Sequence, residues 1–198
     1  MRQDDNIILS QGYKYILTTL GLSLFFSIFI CDILAYIGYV ITLFLLYVYR
    51  NPNINFYNQH SKNILAPIDG KISSIDISKN KYKIYIDVSL CDVHILRAPK
   101  DATFKIKSFI NGVNLCSSTY KANLLNTRAT LKFDDIKLKL ISGRYNLDIA
   151  LYKWFKKVKA TQAVGVFLQG SVIVEIPKKY DLKINLNEKV KAGQSILA

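Results

Sequence analysis

The sequence predicts a mainly β protein (α+β): a compact, sandwich- or barrel-like β domain with about one helix, preceded by an N-terminal membrane helical hairpin. Three observations predict it. Two apolar runs, 15–30 (YILTTLGLSLFFSIFI) and 33–49 (ILAYIGYVITLFLLYVY), open the chain. Each is at or just below the ~17–25 residues that a spanning helix needs. From Ile64 onward, short stretches alternate apolar and polar residues, the period of a half-buried strand. One later stretch, 143–158, has its apolar residues at helical spacing.

The hairpin follows from the position of one charge. Asp32 lies between the two apolar runs, where it is costly at a bilayer centre but cheap at an interface. A turn at Asp32 resolves this better than one long helix. Lys14 and Arg50 then share a side, which the positive-inside rule makes cytoplasmic, together with everything after residue 50. The apolar stretch is too long for a signal peptide and lacks a small-residue cleavage site. The expected location is therefore the cell inner membrane, with the β domain on the cytoplasmic side. Whether the hairpin spans or is re-entrant stays open.

Residues 1–50 thus read as the anchoring hairpin, 51–63 (NPNINFYNQHSKN) as an Asn-rich linker holding His60, and 64–198 as the β domain. Within that domain 71–77 and 82–90 alternate around a turn at Lys79-Asn80-Lys81. Residues 103–110 alternate before Asn111-Gly112, a turn signal. Residues 128–133 and 137–142 pair around Asp134-Asp135. Residues 143–158 read as the helix, with Leu147, Ala150, Leu151, Trp154 and Phe155 on one face. Gly165–Pro177 reads as strand, glycine corner, strand, and 182–186 as a last strand before the turn at Lys191–Gln194.

Composition narrows the function classes. Of 198 residues, 51% are hydrophobic and mean hydropathy is +0.17, high for a purely soluble chain. Net charge is +13, from 27 Lys and Arg against 14 Asp and Glu. That excess suits nucleic acid or an anionic lipid surface, and the hairpin favours lipid over nucleic acid. The three cysteines, Cys31, Cys91 and Cys116, are odd in number and widely spaced, which does not make a disulfide framework. Cys91 and His94 have metal-ligand spacing, but with two histidines in the chain and no second cysteine pair no metal site is expected.

The chemistry centres on Gly170–Ser171. The Ser171 hydroxyl adjoins the Gly170 carbonyl; His94 could take its proton and Asp69 could orient His94, the roles of nucleophile, base and orienter. Attack on the preceding carbonyl makes a five-membered ring, and glycine lets the backbone contort there. The product is an ester; β-elimination then cuts the chain, and hydrolysis of the resulting dehydroalanine with loss of ammonia leaves a pyruvoyl group on the new N-terminus. Such a ketone condenses with an amine and accepts electrons from a decarboxylating carbon.

Six motifs in order carry a family resemblance: Tyr49-Arg50-Asn51-Pro52, Pro67-Ile68-Asp69-Gly70, Val93-His94 with Arg97 and Pro99, Asn126-Thr127-Arg128, Ile141-Ser142-Gly143, and Gly170-Ser171. The chain resembles the phosphatidylserine decarboxylase proenzymes, specifically their short bacterial and archaeal type. The resemblance implies conversion of Ser171 to the pyruvoyl cofactor, a β chain 1–170 and an α chain 171–198, and Asp69 and His94 as partners in self-processing. It implies decarboxylation of phosphatidylserine to phosphatidylethanolamine, with His94 serving also to protonate the product carbanion. Arg97, Arg128 and Arg144 are the candidates for the substrate phosphate. Phosphatidylserine, anionic membrane lipid and the chain's own two fragments are the implied partners; self-assembly stays open.

The chain also departs from the family. Val172 stands where the family has Arg after the serine, Leu147-Asp148 replaces two arginines, Asn51 replaces Asp and Thr127 replaces Glu. A diverged, non-catalytic relative is therefore one alternative. Another is a carrier or adaptor of the biotinyl/lipoyl hammerhead type, since Ala66–Ile72 and Val190–Gln194 resemble such domains, although the modified lysine at a hairpin tip is not evident.

Overall fold

The computed structural model describes residues 7–29, 32–52, 63–113, 115, 121–143, 149–152 and 155–198. The chain divides into two units, one up to residue 53 and one from residue 54. The linker stretch, His60 and Arg144 lie almost wholly outside the described residues, as do Trp154 and Lys153.

The first unit is a helical hairpin, α1 (Ser10–Phe29) and α2 (Asp32–Val48). Asp32 is exposed and opens α2, where the positive end of the helix dipole favours a carboxylate. The helices meet through small and polar residues. A side chain at Gly12 would strike the Tyr49 ring at 2.5 Å, and one at Gly38 would strike Ser23 Oγ at 2.2 Å. Between these contacts Thr42 Oγ1 donates to Thr19 Oγ1 at 3.1 Å. Backbone bonds tie the open ends: Leu9 to the Tyr49 carbonyl at 2.9 Å and Asn51 to the Ile7 carbonyl at 2.7 Å. The large apolar side chains face outward; Leu17, Ile28, Ile33, Val40 and Leu43 are all exposed. By length and hydropathy, no helix among the described residues is long and apolar enough to cross a membrane. The expected hairpin is thus present as two helices.

The second unit holds β1 (Gly70–Ile77), β2 (Lys81–Val88), β3 (Ile95–Arg97), β4 (Ala102–Ile110), α3 (Ala122–Leu125), β5 (Arg128–Phe133), β6 (Ile136–Ser142), β7 (Ala150–Leu151), β8 (Lys157–Val158), β9 (Ala163–Val166), β10 (Gly170–Pro177) and β11 (Lys189–Val190). Eight strands form an antiparallel sheet in the order β11-β1-β2-β10-β6-β5-β4-β8, and three form a second, β3-β9-β7. The eight-stranded sheet ends at β11 and β8, so the described strands do not close into a barrel, and the barrel-like reading is corrected to two sheets. Alternation explains the core. Along β10, Val172, Val174 and Ile176 are buried while Ser171, Ile173 and Glu175 are half-buried. Ile84, Ile86, Leu138 and Leu140 from the flanking strands complete the same buried layer.

Two expectations are corrected. The stretch 143–158, read as a helix, contains β7 and β8 among its described residues and no helix. Its apolar spacing suits a helix, but neighbouring strands offer unpaired backbone. Val158 lies opposite Ala102 of β4, and Leu151 opposite Gly165 of β9. Gly165 permits that approach, since a side chain there would meet the Ala150 carbonyl at 2.5 Å. Tertiary pairing of this kind overrides local propensity. The only helix described in this unit is the single turn α3. Second, 182–186 is not a strand; Lys183 donates to the Leu197 carbonyl, and the ladder falls instead to β11, opposite Gly70 and Lys71.

Candidate active site

Six strand ends converge where β10 begins. Gly170 lies opposite Val88 of β2 on one side and Ser142 of β6 on the other. Its φ of +136° belongs to a region that only glycine occupies readily. A side chain there would fall 2.2 Å from the Ile141 carbonyl and 2.8 Å from the Gly143 amide. The Gly143 amide itself donates to the Gln169 carbonyl at 3.0 Å, so the backbone on the upstream side of the Gly170–Ser171 bond is held from β6.

Ser171 sits one residue into an internal strand, half-buried. Directly opposite it lie Asp87 on β2 and Ile141 on β6. The row continues outward from Asp87 to Lys71, and from Ile141 to Arg128 and then Ile110. Residues directly opposite in antiparallel strands share a face. Ser171 therefore stands on one face between a carboxylate one strand away and a guanidinium two strands away, about 10 Å by strand spacing.

His94 comes from the segment before β3 and is fully buried. Its carbonyl accepts from the Phe167 amide at 2.9 Å, and Ile95 pairs with Val166. The histidine is thereby tied to the connection 167–169 that carries the chain from the smaller sheet into β10. Its Nε2 lies 3.0 Å from the Leu90 carbonyl. A carbonyl only accepts, so Nε2 donates to it, and in the neutral ring Nδ1 is the basic nitrogen.

Asp69 immediately precedes β1. Its Oδ1 accepts from the Ala192 amide at 2.7 Å, and its carboxylate is also bonded by the Val93 amide, one residue before His94. Burial pushes its pKa above the ordinary value, with the Ala192 amide opposing, nearby Asp92 adding to the rise and the Val93 amide opposing again. The Val190–Gln194 stretch, which suggested a carrier domain, thus turns back to anchor Asp69. Gly193, at φ +71°, permits that turn, and its amide donates to the Ala66 carbonyl.

The arginine candidates separate. Arg97 is buried, and its Nη1 donates to the Thr161 carbonyl at 3.0 Å. Arg128 stands in the Ser171 row, with Nη1 donating to the Leu124 carbonyl. Sequence reasoning missed three neighbours. Asp87 is opposite Ser171, a relation that depends on strand register and leaves no signal in the sequence. Ser142, seen only as part of a motif, is opposite Gly170; its hydroxyl is buried with no hydrogen-bond partner among the described residues. Asn126, seen only as part of a motif, bonds to Leu115 and to Ser142.

A family model described as phosphatidylserine decarboxylase matches residues 41–198. The chain belongs to the phosphatidylserine decarboxylase family. Among curated relatives, the phosphatidylserine decarboxylase proenzyme of Amoebophilus asiaticus is 30% identical over 170 residues, covering 79% of this chain and 75% of the relative. That of Geotalea uraniireducens is 23% identical over 210 residues, covering 100% of this chain and 98% of the relative. A putative archaetidylserine decarboxylase proenzyme of Methanosarcina acetivorans is 26% identical over 171 residues, covering 83% and 79%. No solved structure matches the chain.

Proposed function

We propose that this chain is a self-processing decarboxylase that converts phosphatidylserine to phosphatidylethanolamine and carbon dioxide. Family membership supports the reaction class, and one observation supports its seat at Ser171: Gly170, in a backbone state reserved for glycine, immediately precedes Ser171 on an internal strand. The residues present fit a pyruvoyl group at position 171. No side chain is tolerated at Gly170, and the His94 backbone is bonded four residues upstream of Ser171.

His94 Nδ1 is the base that takes the Ser171 proton as Oγ attacks the Gly170 carbonyl. Ionised Asp69 holds Val93, and with it His94, in place. The pyruvoyl group, once formed, supplies the electron sink for loss of carbon dioxide. Around it, Asp87 attracts the substrate ammonium and Arg128 the phosphate, on opposite sides of position 171. Phosphatidylserine and archaetidylserine present the same phosphoserine headgroup, which this arrangement reads, and differ in the lipid tail.

The hairpin supports membrane association. Its small and polar residues face each other while its large apolar residues face outward, the arrangement of helices packed in lipid. Two short helices suit a re-entrant seat at the inner membrane, with the β unit on the cytoplasmic side.

Intact mass of the purified protein tests the proposal. A cut at Gly170–Ser171 gives a 170-residue chain and a 28-residue chain (198 − 170) with a blocked N-terminus. Ser171→Ala abolishes the cut and the release of carbon dioxide from phosphatidylserine. A wild-type chain that stays whole overturns self-processing. A cut chain that releases no carbon dioxide overturns the substrate.

A further inference from the structure

Among the described residues, the β unit exposes an apolar cluster. Phe109, Ile110, Val113, Leu124 and Leu125 are each 44–57% exposed. They are held together by backbone: the Val113 amide donates to the Leu125 carbonyl at 2.9 Å, and Val113 bridges to Asn126. A side chain at Gly112 would meet the Leu125 carbonyl at 2.0 Å, so this turn lies directly on α3.

The cluster occupies the end of the sheet where β10 begins. Ile110 is opposite Arg128, Arg128 opposite Ile141, and Ile141 opposite Ser171. Three strand spacings, about 15 Å, therefore separate Ile110 from Ser171. The charge along the segment that carries the cluster has one sign. From Ala102 to Phe133 the sequence has five basic residues (Lys105, Lys107, Lys121, Arg128 and Lys132) and no acidic one. Exposed apolar side chains among cations suit an anionic lipid surface, with apolar insertion and counter-charge acting together. The same charge disfavours a second copy of the chain on this face.

We propose that this cluster is a lipid-docking surface of the β unit, seated in the interface of an anionic bilayer so that the Ser171 end of the sheet meets the headgroups. The inference rests on the decarboxylase reading for its purpose: the reacting carbon of a bilayer lipid lies at the headgroup level and must be met there.

The chain has a single tryptophan, Trp154, which allows a direct test on the full-length protein. In a Trp154→Phe background, Leu124→Trp is compared with Ile77→Trp, at the opposite end of β1 and also exposed. With vesicles of phosphatidylglycerol brominated near the headgroup, quenching at position 124 should exceed that at 77 by about twofold or more. Equal quenching overturns the proposal. Separately, Leu124→Glu with Leu125→Glu should cut turnover of phosphatidylserine in vesicles by about tenfold while sparing a soluble short-chain analogue. Equal loss on both substrates, or a dimer that this variant dissolves, also overturns it. A chain that neither cleaves nor turns over either substrate removes the decarboxylase reading, and the quenching comparison still decides the surface.

Discussion

The Asn126 side-chain amide donates to the Ser142 carbonyl at 2.7 Å, and Ser142 is the strand partner of Gly170. One buried side chain thus joins the segment before α3 to the strand facing the predicted break. The same amide nitrogen donates to the Leu115 carbonyl at 2.8 Å, and Oδ1 accepts from the Leu115 amide at 2.9 Å. Asn126→Ala removes all three bonds and strands a buried carbonyl, costing about 3 kcal/mol. Urea unfolding of a Ser171→Ala parent, which cannot cut itself, measures this without interference from cleavage.

Gly170→Ala should stop processing for a steric reason. The added carbon meets the Ile141 carbonyl at 2.2 Å in a backbone state hostile to any side chain. The expected cost is about 3 kcal/mol, and the mass should stay that of the uncut chain. Ser171→Ala also stays uncut, but its stability should remain near that of the uncut wild-type precursor, because Ser171 is only half-buried.

Ser142→Ala should not destabilise the protein. Its hydroxyl is buried without a partner among the described residues, and removing such a group is neutral or gains up to about 1 kcal/mol. Thermal unfolding measures it. A slower cut in this variant would instead assign the hydroxyl a part in the reaction at Gly170.

Asp69 contributes an acid limb to processing, beside that of the His94 base. Burial raises its pKa above 3.8, so protonation begins at a higher pH than for an ordinary aspartate. The ionised form is the one favoured by the bonds from the Val93 and Ala192 amides. The cutting rate therefore falls as pH drops through this raised value. Asp69→Asn should be slow at all pH values and lack the Asp69 limb, keeping only that of the His94 base. Stopped-pH time courses read by gel provide both curves.

Asp135 should govern acid stability. Burial works against its charge, yet hydrogen bonds from Lys100, Lys179 and Tyr180 hold the carboxyl well below the ordinary 3.8. A carboxylate with a depressed folded pKa contributes stability above its unfolded value and loses it as pH falls through the folded one. Asp135→Asn should cost about 2 kcal/mol at pH 7, and the difference should shrink steadily below pH ~4. Parallel urea titrations from pH 7 to pH 2 give the comparison.

Much of the sheet was legible because one face of each long strand is buried and the other is not. β1, β2, β4, β5, β6 and β10 announce themselves as alternation, and Gly170 as a corner. Two-residue strands such as β7 and β8 carry no period. Their state is decided by what β9 and β4 leave unpaired, so the stretch holding them looked helical. The site divides the same way. Asp69, His94 and Ser171 could be named as candidates because each belongs to one of the few residue types suited to such chemistry. Asp87 could not, because its place beside Ser171 follows from the register of β2 against β10. Asn126 was visible within a motif, but its bond to Ser142 depends on a turn of chain folding back sixteen residues.

The internal position of β10 has a consequence for the history of the molecule. A cut at Gly170–Ser171 does not free the last 28 residues, because β10 is bonded along its length to β2 on one side and β6 on the other. The fragment stays as a strand in the middle of the sheet, and the folded protein is indifferent to the lost covalent bond. The unfolded protein is not. Before the cut, refolding is unimolecular. After it, two separate chains must find each other, and recovery depends on their concentration. Maturation thereby makes folding a one-way event in dilute solution, with native lifetime set by the unfolding rate rather than by equilibrium.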